Sequence, residues 1–437
     1  MRLPIALALL TLSLQVCADE SGAGGPTGAA HAPASAYRPL NATEDATFRR
    51  GRELFAVHWV AAGTTDADGH GGLGPLFNAN ACESCHPGAG RGEGPAGDGP
   101  VPAALVVKLE APVIDRGREP VGDPVYGRIF NTQALTGVPA EGVVVVKYRE
   151  ITGNYYPGGG YWRMREPTYH LTELRYGPLA STTVIKPRLA PPLFGVGYLA
   201  AVPDSFVDGE AKRASPTSTG QQVRASGRFG WQGDVASLRD QTTKAFALEM
   251  GLTSSDRPAD DCTPVQVDCA RSPRAGSPEV PDESLAAIVE YLQLLAPPPA
   301  RPISRKDETG RRVFSQIGCG ACHLTELGVE LRRADGTPST GLVAAYTDLR
   351  RHDLGRRMAD RDASGHVVPT LWRTAPLWGL GLRSSTGRDP TFLHDGRART
   401  IEEAVLWHLG EAADAGRRFR ELSPGRRDDL LRWLASR

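Results

Sequence analysis

Two short motifs combine cysteine with histidine, and they stand far apart in a chain of 437 residues. The first is Cys82-Glu83-Ser84-Cys85-His86 and the second is Cys319-Gly320-Ala321-Cys322-His323. Each has the form C-x-x-C-H, in which two thiols form thioether bonds to one porphyrin while the adjacent imidazole binds its iron. A bare C-x-x-C could instead be half of a zinc site or a redox-active dithiol, but the histidine that follows in both motifs favours haem. The sequence therefore predicts two covalently bound haem c groups.

The beginning of the chain has the pattern of an export signal. A basic residue and an apolar run over 3–14 are followed by a cleavage-site pattern at 16–18. We therefore expect a signal peptide over 1–18, a flexible segment over 19–40 and a periplasmic protein. Cys17 leaves open a lipoprotein anchor instead. Later apolar stretches are too short to span a bilayer, so we do not expect a membrane-spanning protein.

The remaining cysteines and the overall charge narrow the possibilities further. Cys262 and Cys269 are close in sequence, and in an oxidising compartment they are expected to form a local disulfide, with free thiols or a redox-active pair as alternatives. The chain has 50 basic and 50 acidic residues, so its charge gives no case for binding nucleic acid or an anionic membrane. Abundant glycine and proline suit a loop-rich protein in which large cofactors supply much of the core.

Four sequence landmarks occur twice in the same order. They are a helix-like segment before each haem motif, a proline-containing segment with two glycines, a tripeptide followed by a helix-capping box, and an amphipathic closing helix. The first copies are 51–55, 190–197, 231–240 and 283–295, and the second copies are 310–314, 374–381, 394–403 and 426–434. We therefore predict two cytochrome-c-like domains over 41–296 and 303–437, joined by a Pro-rich linker over 297–302.

The first copy is much longer than the second. Its extra residues include a Gly/Pro-rich loop over 88–100 and three segments with β-branched or alternating residues, over 101–109, 143–149 and 169–174. The predicted fold is therefore mainly α, with two cytochrome-c-like haem domains in tandem and a small β-rich insertion in the first. Surface scaffolding is the simplest role for this insertion.

The two copies differ at one position that matters for iron. In the second copy His408 lies on the helix that begins at Thr400, and the matching residue of the first copy is Ala245, which cannot ligate iron. We therefore predict that His323 and His408 bind the iron of haem 2 from both sides, whereas His86 alone binds the iron of haem 1. An iron with an open position can activate a small oxidant, while one with two protein ligands mainly transfers electrons.

Other histidines leave alternatives open. His58, His170 or His352 could close the open position of haem 1, which would make the protein a pure electron-transfer cytochrome. His408 could also be an ordinary helix histidine bonded to solvent or to the backbone.

Three residues near the predicted open site could assist chemistry on a peroxide. Gln241 and Glu249 lie two turns apart, so both can share one helix face, and Trp231 comes just before that helix. A buried carboxylate can take the proton of a peroxide and return it to the leaving oxygen, while the glutamine orients the oxidant and the tryptophan relays electrons between the haems. The alternative is an ordinary capped amphipathic helix with a solvated glutamate and a core tryptophan.

At these residues the chain resembles the bacterial di-haem cytochrome c peroxidase superfamily, which includes the di-haem enzyme of methylamine utilisation. Within it, the chain is most similar to the di-haem oxidoreductase family, whose members are described as peroxidases and sometimes as thiol oxidoreductases. The matching segments are 74–78, 227–231, 346–348, 352–355, 372–374 and 393–398.

The resemblance implies a peroxidase-like oxidoreductase of class EC 1.11.1.-. Haem 1 would activate hydrogen peroxide with the help of Glu249 and Gln241, and haem 2 would relay electrons from a periplasmic donor through Trp231. Two alternatives are a pure electron-transfer cytochrome and the peroxide-driven oxidation of a side chain of a partner protein. The resemblance also implies calcium between the domains, although Gly195 stands where a ligating asparagine is expected. His408 stands where the superfamily has methionine or tyrosine.

Overall fold

The computed structural model describes residues 35–64, 70–111, 121–156, 158–207, 227–276, 278–301, 304–382 and 390–437. The predicted signal peptide lies outside these ranges. The helices are α1 (Ala42–Ala56), α2 (Cys82–Cys85), α3 (Val196–Ala200), α4 (Leu238–Glu249), α5 (Val267–Arg271), α6 (Asp282–Leu294), α7 (Arg305–Ile317), α8 (Ile401–Leu406), α9 (Ala413–Glu421) and α10 (Pro424–Leu434). Short 3₁₀ turns cover Pro87–Ala89, Cys319–Ala321 and Gly410–Ala412.

The strands are mostly short and come from both copies of the repeat. They are β1 (Val60–Ala61), β2 (Gly71–Leu73), β3 (Leu76–Phe77), β4 (Gly99–Pro100), β5 (Leu105–Glu110), β6 (Ile129–Phe130), β7 (Gln133–Ala134), β8 (Val143–Asn154), β9 (Tyr161–Thr172), β10 (Val184–Leu189), β11 (Leu327–Arg332), β12 (Pro338–Val343), β13 (Arg351–Asp353), β14 (Asp360–Asp362), β15 (Val367–Val368) and β16 (Leu371–Arg373).

The prediction of a mainly α fold is wrong. The structure is 29% helical and 23% strand, with several sheets. A five-stranded sheet has the order β15-β14-β10-β5-β6, so it joins strands of the insertion to strands of the second copy. The β-rich part is therefore neither small nor confined to the first copy, and the fold mixes helices with sheets.

The helices begin where the sequence patterns predict. The hydroxyl group of Ser237 accepts a hydrogen bond from the backbone N–H of Asp240 at the start of α4. The hydroxyl group of Thr400 accepts one from the N–H of Glu403 at the start of α8. Each N-cap satisfies a backbone donor that the first helical turn leaves free, so α4 and α8 start at matching positions of the repeat.

A close helix crossing occurs once in each copy. A Cβ atom at Gly51 of α1 would lie 2.1 Å from the carbonyl oxygen of Ala287 in α6. A Cβ atom at Gly310 of α7 would lie 2.3 Å from the carbonyl oxygen of Asp429 in α10. Both glycines belong to the first sequence landmark, and both let two helix backbones approach more closely than any side chain would permit.

The two copies also contact each other reciprocally. A Cβ atom at Gly195 would meet the ring of Trp378 at 2.7 Å, and one at the matching Gly379 would meet the ring of Phe194 at 2.5 Å. Phe194 and Trp378 themselves occupy matching positions of the second landmark. The two copies therefore contact each other through equivalent residues.

The insertion holds the two copies together. In β9, the side chain of the buried Arg165 donates hydrogen bonds to the carbonyl oxygens of Pro95 (2.9 Å), Arg397 (2.8 Å) and Gly396 (3.1 Å). At the end of the hairpin, the hydroxyl group of Tyr155 donates to Glu402 at 2.7 Å. Buried contacts to the second copy therefore fix the position of this hairpin, and its scaffolding role stays a prediction.

The helix crossing gives a direct test of the fold. Gly310→Ala should lower the free energy of unfolding by about 1–3 kcal/mol, because the added methyl group has no room beside the backbone of α10. Gly425→Ala is a matched control in the partner helix, where a Cβ atom would meet nothing within 4 Å. It should be neutral or stabilise by up to about 1 kcal/mol. Chemical denaturation measures both variants, and equal midpoints would contradict the crossing.

Candidate functional site

The first C-x-x-C-H motif forms one side of a cavity. Cys82 and Cys85 begin and end α2, and the N–H of His86 donates to the carbonyl oxygen of Cys82 at 2.9 Å. This helical turn brings both cysteines and the histidine to the cavity wall. Burial raises the pKa of each of the two thiols to about 12. A redox-active dithiol has a lowered cysteine pKa, so the raised values do not favour that alternative.

The imidazole of His86 is prepared to bind a metal. Its Nδ1 atom lies 2.8 Å from the carbonyl oxygen of Pro191, so Nδ1–H is the donor and Nε2 carries the free lone pair. Burial lowers the pKa of His86 to about 4, which keeps the ring neutral at ordinary pH. Neutral imidazole is the form that ligates a metal.

The cavity beside His86 is large and rich in positive charge. Its volume is about 240 Å³, and a void of roughly 150 Å³ already holds a benzene ring. Its charged lining residues are the cations Arg91, Lys108, Arg188, Arg228 and Arg373 and the acids Asp234 and Glu249. Burial lowers the pKa of both Arg91 and Arg373 to about 10. This surplus of partly desolvated cations suits a ligand that carries carboxylate groups.

Helix α4 forms one wall of the cavity with a single face. Its lining residues are Leu238, Gln241, Thr242, Ala245 and Glu249. The spacing of three or four residues places them one above another. The structure therefore brings Gln241 and Glu249 together on one cavity wall, with Trp231 also in the lining. Their roles in chemistry stay a prediction.

The carboxyl group of Glu249 has an unusual environment. Its Oε2 atom is buried and has no hydrogen-bond partner. Burial raises the pKa of Glu249 to about 7, against the lowering effect of Lys108. The backbone of the residue is held firmly, because its carbonyl oxygen accepts from the N–H groups of Asn78 at 2.7 Å and Ala79 at 3.3 Å. A carboxyl group poised near neutral pH can both take up and release a proton.

Trp231 lies at the junction of the two copies. Its indole N–H donates to the carbonyl oxygen of Leu189 at 2.7 Å. Its own carbonyl oxygen accepts from the N–H of Arg373, in the second copy, at 3.0 Å. An oxidisable ring is thus fixed between the cavity and the second copy.

At the second motif, two histidines lie close together, and each is bonded to a backbone carbonyl oxygen. Nδ1 of His323 contacts the carbonyl oxygen of Tyr346 at 2.8 Å, and Nδ1 of His408 contacts that of Ala404 at 2.9 Å. Burial lowers the pKa of both imidazoles, that of His323 to about 4. Both rings are therefore neutral and keep Nε2 free for a metal.

The distance between these two rings fits a shared iron. When two imidazoles bind one metal from opposite sides, each nitrogen–metal bond is about 2 Å long and each ring centre lies about 1 Å beyond its nitrogen. The two ring centres are then about 6 Å apart. The ring centres of His323 and His408 are 6.3 Å apart. The structure thus brings the two predicted ligands of haem 2 to a compatible distance.

The matched helices explain the difference between the two sites. Helix α4 has 12 residues and carries Ala245 in its middle. Helix α8 has 6 residues and ends at Leu406, so His408 lies just beyond it rather than on it. The early end of α8 lets His408 approach His323, whereas Ala245 leaves space in the first copy.

The other candidate histidines lie elsewhere. His58 and His170 are exposed, and His58 contacts Asn80 at 3.2 Å. His352 contacts Asp348 at 3.0 Å and Glu411 at 2.9 Å. Within the described residues, His86 is the only histidine that lines the cavity.

The predicted cysteine pair is close in space. The sulfur atoms of Cys262 and Cys269 lie at disulfide distance, and their Cα atoms are 5.8 Å apart. Gln266, between them, is buried and donates to the carboxyl group of Glu141. The oxidation state of the pair stays a prediction.

Sequence reasoning missed most of the charged cavity residues, among them Arg91 and Lys108. Arg91 follows the first motif in a Gly/Pro-rich loop, and Lys108 belongs to the insertion. The alternation of β5 was a usable signal, because it places Val106 and Lys108 on one face, but it did not show which face meets the cavity.

In the described part of the chain, the helices are too short or too polar to cross a membrane.

The second half of the chain matches a known protein family. The model of one protein family, described as "Di-haem oxidoreductase, putative peroxidase", matches residues 212–437. A search of curated proteins gave no match. The matched range contains the second haem motif together with Trp231, Gln241 and Glu249.

Two solved structures show a distant likeness. Hydrazine synthase from Kuenenia stuttgartiensis is 15% identical, with 58% of this chain and 73% of that chain covered and a TM-score of 0.33. A MauG-like protein associated with microbial copper homeostasis is 15% identical, with 56% of this chain and 88% of that chain covered and a TM-score of 0.29. Neither likeness is close enough to support a conclusion about this chain. The family model covers more than half of the sequence, and the chain therefore belongs to the di-haem oxidoreductase family.

Proposed function

We propose that this protein is a periplasmic, peroxidase-like oxidoreductase of class EC 1.11.1.- that carries two covalently bound haem c groups. One observation carries the proposal: a buried, unpartnered oxygen of Glu249 lies in the same cavity as His86 and Gln241. Leaving a buried carboxyl oxygen unsatisfied costs free energy. Its place beside a haem-attachment motif is where a peroxide reaction needs a proton acceptor.

The residues present fit two haem groups. The residues that would hold them are Cys82, Cys85 and His86 for haem 1, and Cys319, Cys322, His323 and His408 for haem 2. The thiols at the first motif are neutral, the imidazoles are neutral, and Arg91 is a desolvated cation suited to a haem carboxylate. When bound, haem 1 would supply an iron that reacts with hydrogen peroxide, and haem 2 an iron that passes electrons.

The protein's own groups would handle the protons. The carboxylate of Glu249 takes a proton from one oxygen of hydrogen peroxide and returns it to the other oxygen, which leaves as water. The amide of Gln241, on the same helix face, holds the peroxide in one orientation. Two electrons and two further protons complete the conversion of hydrogen peroxide to two molecules of water.

Trp231 would connect the cavity to the second copy. Its ring lines the cavity, and its backbone is bonded to Arg373 of the second copy. A tryptophan in this position can lose an electron to the oxidised side and regain it from the other. The fixed hydrogen bond from its indole N–H to Leu189 holds the ring in one orientation.

The location and the partners complete the proposal. The export pattern over 1–18 and the close pair Cys262 and Cys269 support a periplasmic protein with a disulfide. Hydrogen peroxide is the proposed oxidant, and a periplasmic electron donor supplies the electrons. Calcium binding and oxidation of a partner protein's side chain stay predictions of the family resemblance.

One observation favours a second candidate function. Met250 is buried and lines the cavity, and a thioether can ligate haem iron. With Met250 on haem 1, the protein would be a pure electron-transfer cytochrome. A resting ferric protein without any high-spin EPR signal would support this function.

The role of Glu249 can be tested directly. Glu249→Gln should retain both haems but reduce kcat/KM for hydrogen peroxide by about 100-fold or more, because an amide cannot accept the proton. Glu283→Gln, at an exposed position of α6, is the control and should keep the full rate. Steady-state kinetics with a small electron donor gives the comparison. An unchanged rate in Glu249→Gln would remove the basis of the proposed mechanism.

The rate should also depend on pH through the same group. Burial raises the pKa of Glu249 to about 7, and only the deprotonated carboxylate can accept a proton. The rate should therefore be low at about pH 5, rise through about pH 7 and level off above it. Glu249→Gln should lack this rise. The same rise in that variant would assign it to another group.

Removal of His408 should change the spin state of the iron of haem 2 only. The wild type should show one high-spin and one low-spin ferric EPR signal, and His408→Ala should convert the low-spin signal to high-spin. His366→Ala removes an exposed histidine and should leave both signals unchanged. A low-spin signal that persists in His408→Ala would show that another residue ligates haem 2.

A further inference from the structure

The inserted strand β5 presents one of its faces to the cavity. Along the strand, burial alternates from residue to residue. Leu105, Val107 and Leu109 pack into a hydrophobic core, whereas Val106 and Lys108 line the cavity. Since side chains alternate between the two faces of a strand, the side chain of Lys108 is on the cavity face.

Neighbouring cations on the adjacent strand have carboxylate partners. Lys186 lies directly opposite Lys108 in the pairing of β10 with β5, and it forms an ion pair with Glu110. Arg188, further along β10, forms a buried ion pair with Asp360 at 2.7 Å. The charges of these two residues are therefore neutralised locally.

Lys108 differs from both neighbours. Among the described residues, its ammonium group has neither an ion pair nor a hydrogen bond. A partly buried cation without a partner is costly. Its charge is thus available to a group inside the cavity.

The arginines that line the cavity each lie beside an acidic or aromatic side chain. Arg228 pairs with the exposed Asp204 at 2.5 Å, and the charge of Asp234 acts on Arg373. Arg91 faces the ring of Phe392 at 4.8 Å. Glu249 remains, and the charge acting on it is that of Lys108, which lowers its pKa against the effect of burial. The thiol of Cys85 also feels the charge of Glu249.

We propose that Lys108 makes this cavity a binding pocket for small anions, including the anionic form of peroxide, beside Glu249. The ammonium group supplies the positive charge that an anion needs in a partly buried cavity. Lys108 is a positioning residue, and its part in the peroxide reaction rests on the function proposed above.

The test measures anion binding rather than turnover. Fluoride and azide are titrated against the ferric protein and followed by the absorption spectrum of haem 1, with nitric oxide as a neutral ligand. Lys108→Met should weaken fluoride and azide binding by about tenfold and leave nitric oxide binding unchanged. Lys108→Arg, which keeps the charge, should bind both anions within about twofold to threefold of the wild type.

Lys186→Met is the matched control. Lys186 is a lysine of the same sheet face whose charge is already paired with Glu110, so its loss should leave fluoride affinity unchanged.

Each outcome separates this proposal from the proposed function. If Lys108→Met binds fluoride as tightly as the wild type, Lys108 has no such role, while the peroxidase function stands or falls with Glu249→Gln. An altered reduction potential with unchanged fluoride affinity would mean that Lys108 pairs with a haem carboxylate, which also overturns the proposal. If the wild type itself binds no fluoride, haem 1 is closed and both proposals fail.

Discussion

The reciprocal bonding of the two copies is the constraint on which the rest of the structure depends. Leu189 and Arg373 occupy matching positions, and each donates its N–H across the junction, to the carbonyl oxygen of His394 at 2.6 Å and of Trp231 at 3.0 Å. Buried backbone groups must be satisfied, so neither copy can shift without losing one of these bonds. The junction at which Trp231 lies is thereby fixed between the two copies.

Within this symmetric frame, one side-chain position makes the two sites unequal. His408 and Ala245 match in sequence, but α8 ends before His408 whereas α4 continues through Ala245 to Glu249. The second copy therefore brings a ring to within 6.3 Å of His323. The first copy uses the longer helix to carry a carboxyl group into its cavity. The proposed two-imidazole site of haem 2 and the proposed open site of haem 1 therefore differ both in this side chain and in the length of the helix that carries it.

Local patterns were readable from the sequence, whereas long-range pairing was not. The haem motifs, the N-caps at Ser237 and Thr400 and the repeated glycines each depend on a few neighbouring residues, and the structure places them as matching pairs. The mainly α fold was wrong because many strands have only two or three residues and pair with strands distant in sequence, and one pairing, β10 with β14, joins the two copies. Strand β10 even contains Pro187, which argues against a strand in sequence. The cavity face of Lys108 depends on such pairing and was therefore not predictable.

Charge pairing distinguishes the parts of this structure that provide stability from those that are available for chemistry. Arg188 with Asp360 is a buried, bidentate ion pair in the joining sheet, with distances of 2.8 and 2.7 Å. Losing one partner would leave an uncompensated charge, so this pair stabilises the junction only when both members are present. Glu249 follows the opposite rule, because its buried Oε2 atom has no hydrogen-bond partner, and Lys108 lines the same cavity without an ion pair among the described residues. Buried polar groups in folded proteins are usually satisfied. A buried, unsatisfied carboxyl oxygen and an unpaired ammonium group on the walls of one cavity are therefore better explained by a ligand that enters it than by the stability of the fold.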